Sequence, residues 1–415
     1  MSEPAPAISA RDQLRRLWVL IATNFVDMIG FAIVLPLLPF YALRLHATAF
    51  EVGIIISAFS IAQILSSPLW GRVSDTYGRR PALLIGLGAS ALAYVVFGVA
   101  DALWLLFASR LIQGAGGGTT GVAQAYVADT IEPAQRARAL GWLSAATSAG
   151  VMLGPVIGSF ATKFGPEAPG FLAAALCLLN AGFAWRWLPE SRRKDGSGAH
   201  ATAGAPVWRA GWEVVRHPTR AVPRLILIYA GGMLAFAALT SVLALYLDAE
   251  FGVTEQSIGF VFLYIGGLSV VMRTLCLGPI VDRIGEPRAM QVGTLSLIAG
   301  LALFPQAGSF WGLAAVMPLV PIGTALLFPA TTSLISRHTR RSEYGTVMGV
   351  AQTFAGLSRV VAPLVATAAF ERLGHASPFY MAAGFIVLMS LLVFRVGVQP
   401  AGMKPAPASA PDIPT

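Results

Sequence analysis

The sequence predicts an all-α integral membrane protein with twelve transmembrane helices in two six-helix, pseudo-symmetric halves. Three observations predict it. The 415 residues are 56% hydrophobic and only 12% charged, with a mean hydropathy of +0.69, more apolar surface than a soluble core can enclose. Twelve apolar runs are long enough to cross a bilayer. Finally, a charged turn, Gly71-Arg72-Val73-Ser74-Asp75-Thr76-Tyr77-Gly78-Arg79-Arg80, has a weaker echo about 207 residues later, in Gly278-Pro279-Ile280-Val281-Asp282-Arg283-Ile284-Gly285. Gly141 with Gly349, and Pro155 with Pro363, keep nearly the same offset, as duplication of a six-helix unit requires.

Taken in order, the predicted spans are 17–42, 50–74, 80–100, 104–129, 138–164, 169–188, 223–247, 257–279, 288–308, 311–336, 345–371 and 377–396. Glycine and proline interrupt the fourth and tenth. The first run follows Arg11, Arg15 and Arg16 like a signal peptide, but it is too long and ends in no small-residue cleavage site. The chain divides into an N-terminal half (1–188), a linker (189–222), a C-terminal half (223–397) and a tail (398–415). The linker is Gly/Ser/Ala/Thr-rich with a surface helix near 207–216, and the Pro/Ala-rich tail is expected to be disordered.

The positive charge has a topological explanation. With a cytoplasmic N-terminus, 22 of the 29 Lys and Arg residues fall in cytoplasmic segments, and Arg44, Lys163 and Arg372 fall on the other side. That bias places both termini in the cytoplasm, and a bacterial inner membrane is the expected location. The formal charge of +9 is spread over short connections, not gathered on one face, so it does not indicate nucleic-acid binding. Cys177 and Cys276 lack metal-ligand spacing and read as small apolar filler. No metal or cofactor is expected.

An ionisable residue at membrane depth is costly and marks function. Asp27 lies ten residues into the first span, about 15 Å deep, on a face shared with Asn24 and Gly30. A carboxyl group sheltered there can exchange a proton or meet a cationic substrate; a structural hydrogen bond is the plain alternative. Arg110 enters the fourth span on a face with Gln113, Gly117 and Gln124, and an exchangeable Asp27–Arg110 pair is one expectation. Arg359 shares a face of the eleventh span with Gln352, positioned for an anionic group or for the carbonyls of a kinked helix. Arg273 is expected to snorkel, and Asp129 to join a network with the following turn. Gly150, Gly154 and Gly158 line one face of the fifth span and, with Pro155, allow close packing and a bend. Asp75 is placed to satisfy a helix N-terminus, with Arg79 and Arg80 bridging to acids or lipid phosphates. Tyr229, Met233, Phe236 and Phe354 are candidate apolar walls, although packing is the default for each.

Together these segments resemble the major facilitator superfamily. Gly71, Asp75, Gly78, Arg79 and Arg80 match its signature loop between helices 2 and 3, with Thr76 departing where a basic residue is usual. Arg110-Leu111-Ile112-Gln113-Gly114 resembles the helix-4 motif associated with proton coupling. Gly150-Val151-Met152-Leu153-Gly154-Pro155-Val156-Ile157-Gly158 resembles the helix-5 antiporter motif. Asp27-Met28-Ile29-Gly30 with Pro36-Leu37-Leu38-Pro39 is similar to helix 1 of twelve-span drug:proton antiporters, tetracycline exporters especially.

The resemblance implies a proton-coupled exporter of small amphipathic or drug-like molecules working by alternating access, not an enzyme, and a monomer. Asp27 and Arg110 would couple protons; Asn24, Gln113, Gln124, Gln352 and Arg359 would line the substrate cavity. The switch would comprise Gly71, Asp75, Gly78, Arg79, Arg80, Asp129 and the Gly150/Gly154/Pro155/Gly158 stripe. Ala93 and Leu297 stand where tetracycline exporters carry acids, which argues against a tetracycline–metal substrate. A metabolite symporter or facilitator is the alternative within transport. An integral-membrane enzyme would need clustered acids or histidines, and the five histidines are scattered.

Overall fold

Glycine and proline decide where the apolar helices are whole and where they break. In a computed structural model, residues 10–132, 135–191, 207–340 and 343–396 are described. The tail 398–415, and with it Lys404, lies outside them, as do linker residues 192–206 with Arg192, Arg193 and Lys194, and Arg341. Every regular element among the described residues is helical.

The N-terminal half contains α1 (Ala10–Val34), α2 (Leu38–Arg44), α3 (Ala49–Tyr77), α4 (Arg79–Gly98), α5 (Leu103–Gly116), α6 (Thr119–Thr130), α7 (Arg136–Ala161) and α8 (Ala168–Trp187). A short helix α9 (Val207–Arg216) follows. The C-terminal half contains α10 (Ala221–Phe251), α11 (Ile258–Val271), α12 (Leu277–Ile284), α13 (Glu286–Leu303), α14 (Phe310–Val316), α15 (Leu319–His338), α16 (Tyr344–Leu373) and α17 (Ser377–Val393).

Among the described residues, ten segments are long and apolar enough to cross a membrane. Two of the twelve predicted spans fall short of that measure. The fourth breaks at Gly117–Gly118 into α5 and α6, and the twelfth, α17, has 17 residues. The first span turns at Leu35–Leu37, beside Pro36, so α1 and α2 together form one kinked crossing. The tenth span breaks between α14 and α15 ahead of Pro318.

The helices run antiparallel between two ends. The linker end carries α9 and the start of α1; the far end carries the connections 45–48, 252–257 and 374–376. The repeat is visible in the backbone. Gly78, between α3 and α4, has φ 109° and ψ 160°; Gly285, between α12 and α13, has φ 79° and ψ 159°. L side chains rarely adopt that region, which is why both turns are pinned by glycine.

Candidate functional site

Asp27 sits on α1 between half-buried neighbours, in a small cleft. Leu20, Thr23 and Asn24 of α1, Leu83 and Leu87 of α4, and Thr119, Thr120 and Ala123 of α6 line it. All of them belong to the N-terminal half. The Cys177 thiol of α8 donates toward Asp27 Oδ1 at 3.9 Å. Sequence reading treated Cys177 as filler; the fold makes it the neighbour of the one acid at mid-membrane depth in the first span. Asn24 lines the same cleft, and its amide donates to Thr147 Oγ1 at 2.7 Å, tying α1 to α7.

Arg110 is 2% exposed and does not pair with Asp27 in this structure. Its guanidinium stands 5.6 Å from the Phe97 ring centroid, and Nε reaches Ser109 Oγ at 3.5 Å. Tyr94 of α4 lies within electrostatic reach of both Asp27 and Arg110. Gln113, also 2% exposed, donates to the Tyr94 hydroxyl at 2.7 Å. Arg110, Gln113 and Tyr94 thus form a buried polar cluster beside Asp27, and Gln113 presents no open surface. Arg110 Nη2 and Gln113 Oε1 have no hydrogen-bond partner among the described residues.

The break between α5 and α6 is bridged from α3. Its carbonyls accept from Ser66 (Gly114 O, 3.3 Å), Trp70 (Ala115 O, 2.5 Å) and Gln63 (Gly117 O, 3.2 Å). A helix broken at membrane depth must satisfy its freed carbonyls this way. Gln124, beyond the break on α6, is exposed.

In the C-terminal half, Gln352 of α16 is exposed, and its amide donates to the Tyr229 hydroxyl of α10 at 3.4 Å. Arg359 is half-buried and Arg273 exposed, and both lie within electrostatic reach of Tyr229. Arg273 does not sit at a helix end; it falls in a π-helical turn, Met272–Cys276, joining α11 to α12. Such bulges redirect side chains and are frequent at functional sites. Sequence spacing gave no signal for it. Ala93 and Leu297 are fully enclosed.

The charged turn is built differently from the expectation. Asp75 does not satisfy a helix N-terminus; it pairs with Arg79 one turn later, at 2.5 Å. Glu190, just past α8, takes the capping role: its carboxylate oxygens accept from the backbone N–H groups of Arg79 (2.8 Å) and Arg80 (3.1 Å). Negative charge at a helix N-terminus is favoured there. A Cβ on Gly78 would approach Glu190 Cδ to 2.7 Å. Arg79 also binds Asp129 Oδ2 at 3.0 Å, and Arg80 donates to the Trp185 carbonyl. Gly71 has open space where a Cβ would be.

The glycine stripe of α7 packs against α1. A Cβ on Gly150 would meet Phe25 O at 2.7 Å, on Gly154 Ile29 O at 2.7 Å, and on Gly158 Ile33 O at 2.6 Å. Contact between the halves comes from other glycines. A Cβ on Gly259 of α11 would meet Pro155 O at 2.5 Å, and one on Gly53 of α3 would meet Pro363 O of α16 at 2.9 Å. Polar contacts between halves gather at or toward the far end. Arg44 pairs with Glu255, Phe50 N donates to Glu371 Oε2 (2.8 Å), Ser57 Oγ to Val360 O (2.9 Å), and Gly259 N to Ser159 Oγ (2.9 Å). At the linker end the ion pairs described stay within one half, as in Arg79–Asp129 and Arg337–Glu286.

A profile of the Major Facilitator Superfamily matches residues 20–320 and 225–414. The chain belongs to that superfamily. It is a transporter of this fold and a multi-pass membrane protein, and its relatives include proteins named for resistance to tetracycline and to multiple drugs. The chain is 26% identical over 397 residues to the class B tetracycline resistance protein of Escherichia coli, covering 93% of this chain and 97% of that one. It is 28% identical to multidrug resistance protein 2 of Bacillus subtilis, covering 90% and 92%. A solved bacterial homologue of the human lysosomal transporter Spinster, inward-facing and unoccupied, superposes with a TM-score of 0.77 at 16% identity, covering 93% and 97%.

Proposed function

We propose that this transporter exports small amphipathic or drug-like molecules in exchange for protons, by alternating access. The observation that carries the proposal is Asp27, a half-buried carboxyl in a cleft of the N-terminal half, beside the Tyr94–Gln113–Arg110 cluster. A proton taken up there alters the charge within that half. The buried arginine feels that change through the shared tyrosine, and packed helices answer such changes by discrete rearrangement. The curated relatives named for resistance to tetracycline and to multiple drugs support export. The enclosed Ala93 and Leu297 argue against a tetracycline–metal substrate.

In the same reading the halves are 1–188 and 223–397, joined by the linker 189–222. Both termini face the cytoplasm of a bacterial inner membrane, the linker end is the cytoplasmic end, and the protein works as a monomer. The far-end contacts then make this an inward-open state. A drug-susceptibility panel in an efflux-deficient bacterial host tests the proposal. Expression should raise resistance to a subset of amphipathic compounds, and Asp27→Asn should return it to the empty-vector level with the protein still in the membrane. Equal protection by wild type and Asp27→Asn would refute proton coupling at this residue.

A further inference from the structure

We propose that Arg273, Arg359, Gln352 and Tyr229 form a binding site for an anionic group, so that the molecules carried include amphipathic organic anions such as carboxylates or sulfonates. The inference rests on the export reading for its direction of transport, but not for the binding itself.

Three features converge. The first is placement. Counted at 1.5 Å per residue from the linker end, Tyr229 and Gln352 lie about 12 Å deep, Arg273 about 16 Å and Arg359 about 22 Å. They therefore lie within about 10 Å of one another in depth, toward the end where the described ion pairs leave the halves unlinked. Arg359 also stands next to the contact between the halves. Its neighbour Val360 accepts from Ser57 of α3, and a Cβ on Gly356 would touch both Ile64 of α3 (3.1 Å) and Arg359 Nη2 (4.0 Å).

The second feature is charge. Two guanidinium groups from different helices lie within electrostatic range of one tyrosine, and neither has an ion-pair partner among the described residues. Lone charges at membrane depth are costly, and Arg79 with two carboxylates and Arg337 with Glu286 show the pairing that Arg273 and Arg359, like the buried Arg110, lack. A carboxylate or sulfonate on the cargo would supply the missing counter-charge, in the geometry that guanidinium groups favour.

The third is construction. Arg273 falls in a π-helical turn, a local departure from α geometry of the kind frequent at functional sites. The Gln352 amide and the Tyr229 hydroxyl add neutral hydrogen-bonding groups. Tyr229 meets Phe328 edge-on, with ring centroids 5.4 Å apart, giving the site an aromatic wall for the apolar part of the ligand. On the cleft of the N-terminal half, Asp27 lies against Cys177 of its own half, and among the described residues it pairs with neither arginine.

The test is equilibrium binding to purified, detergent-solubilised transporter, with no proton gradient. The probes are dansylglycine, an amphipathic carboxylate, and its neutral methyl ester, followed by dansyl fluorescence. Wild type should bind the anion about tenfold more tightly than the ester, the value of one charge-assisted hydrogen bond. Arg273→Gln and Arg359→Gln should each lower anion affinity about tenfold and leave ester affinity unchanged, and Arg359→Lys should lose less than Arg359→Gln. Arg273 is exposed, so its variant reads the site even if Arg359→Gln fails to fold. Equal affinity for the two probes, or unchanged anion binding in Arg273→Gln, would overturn the inference. Failure here with proton-driven drug export intact would leave the proposed function standing. Anion binding without any export would do the reverse.

Discussion

At the scale of single residues, the two positions that matter most work through neighbours far away in sequence. Gly78 needs a positive φ and leaves no room for a Cβ beside Glu190. Gly78→Ala should therefore destabilise the protein by about 1–3 kcal/mol, read as a lower thermal unfolding midpoint in detergent. Gly71→Ala, with open space at the same point, should leave that midpoint unchanged. Glu190→Gln keeps the shape but removes the charge that caps α4; a loss of roughly 1 kcal/mol is expected, and no loss would mean the cap is idle. Asp27, Arg110 and Arg359 were legible in the sequence because charge stands out in an apolar run. Their partners were not. That Asp27 meets Cys177 and not Arg110, or that Glu190 and not Asp75 caps α4, depends on how helices distant in sequence lie together, and spacing along one helix carries no such information.

At the scale of elements, small residues set which helices touch. The α7 stripe was readable as a close-packing face, since glycines at intervals of four share one side of a helix. Its partner, α1, was not readable. Gly154→Val should overpack the α1–α7 seam, where Ile29 O leaves 2.7 Å for even a Cβ. A cost of about 1–3 kcal/mol and reduced membrane yield are expected, whereas Gly141→Val, facing open space, should be tolerated. Glycines in the fourth run signal an interruption, and the structure places it at Gly117–Gly118. What the sequence could not show is that Ser66, Trp70 and Gln63 stand across from the freed carbonyls. Ser66→Ala together with Gln63→Ala should lower the unfolding midpoint more than either change alone, because each strips a different carbonyl of its donor.

At the scale of the whole molecule, the two halves meet through a few polar contacts toward the far end: Arg44 with Glu255, Phe50 N with Glu371, Ser57 with Val360 and Gly259 with Ser159. The twofold organisation was legible early, from the echoed turn and the matched prolines, and the paired conformations of Gly78 and Gly285 bear it out. Which end is closed was not legible, because the sequence is the same in every state of the cycle. Opening the far end must break the Arg44–Glu255 pair and the Phe50–Glu371 hydrogen bond together. Glu371→Gln with Arg44→Gln should thus shift the population toward a far-end-open form, seen as faster labelling of a cysteine placed at Thr254. Unchanged labelling would mean those contacts do not hold the end shut.

The proposed exchange depends above all on an acid at position 27 coupling proton movement to cargo. The most direct measurement is accumulation of an exported compound in everted membrane vesicles after an imposed jump to acid interior pH. Wild type should concentrate the compound and release it when the gradient is dissipated, while Asp27→Asn should only equilibrate it. Concentration by Asp27→Asn equal to wild type would contradict the account.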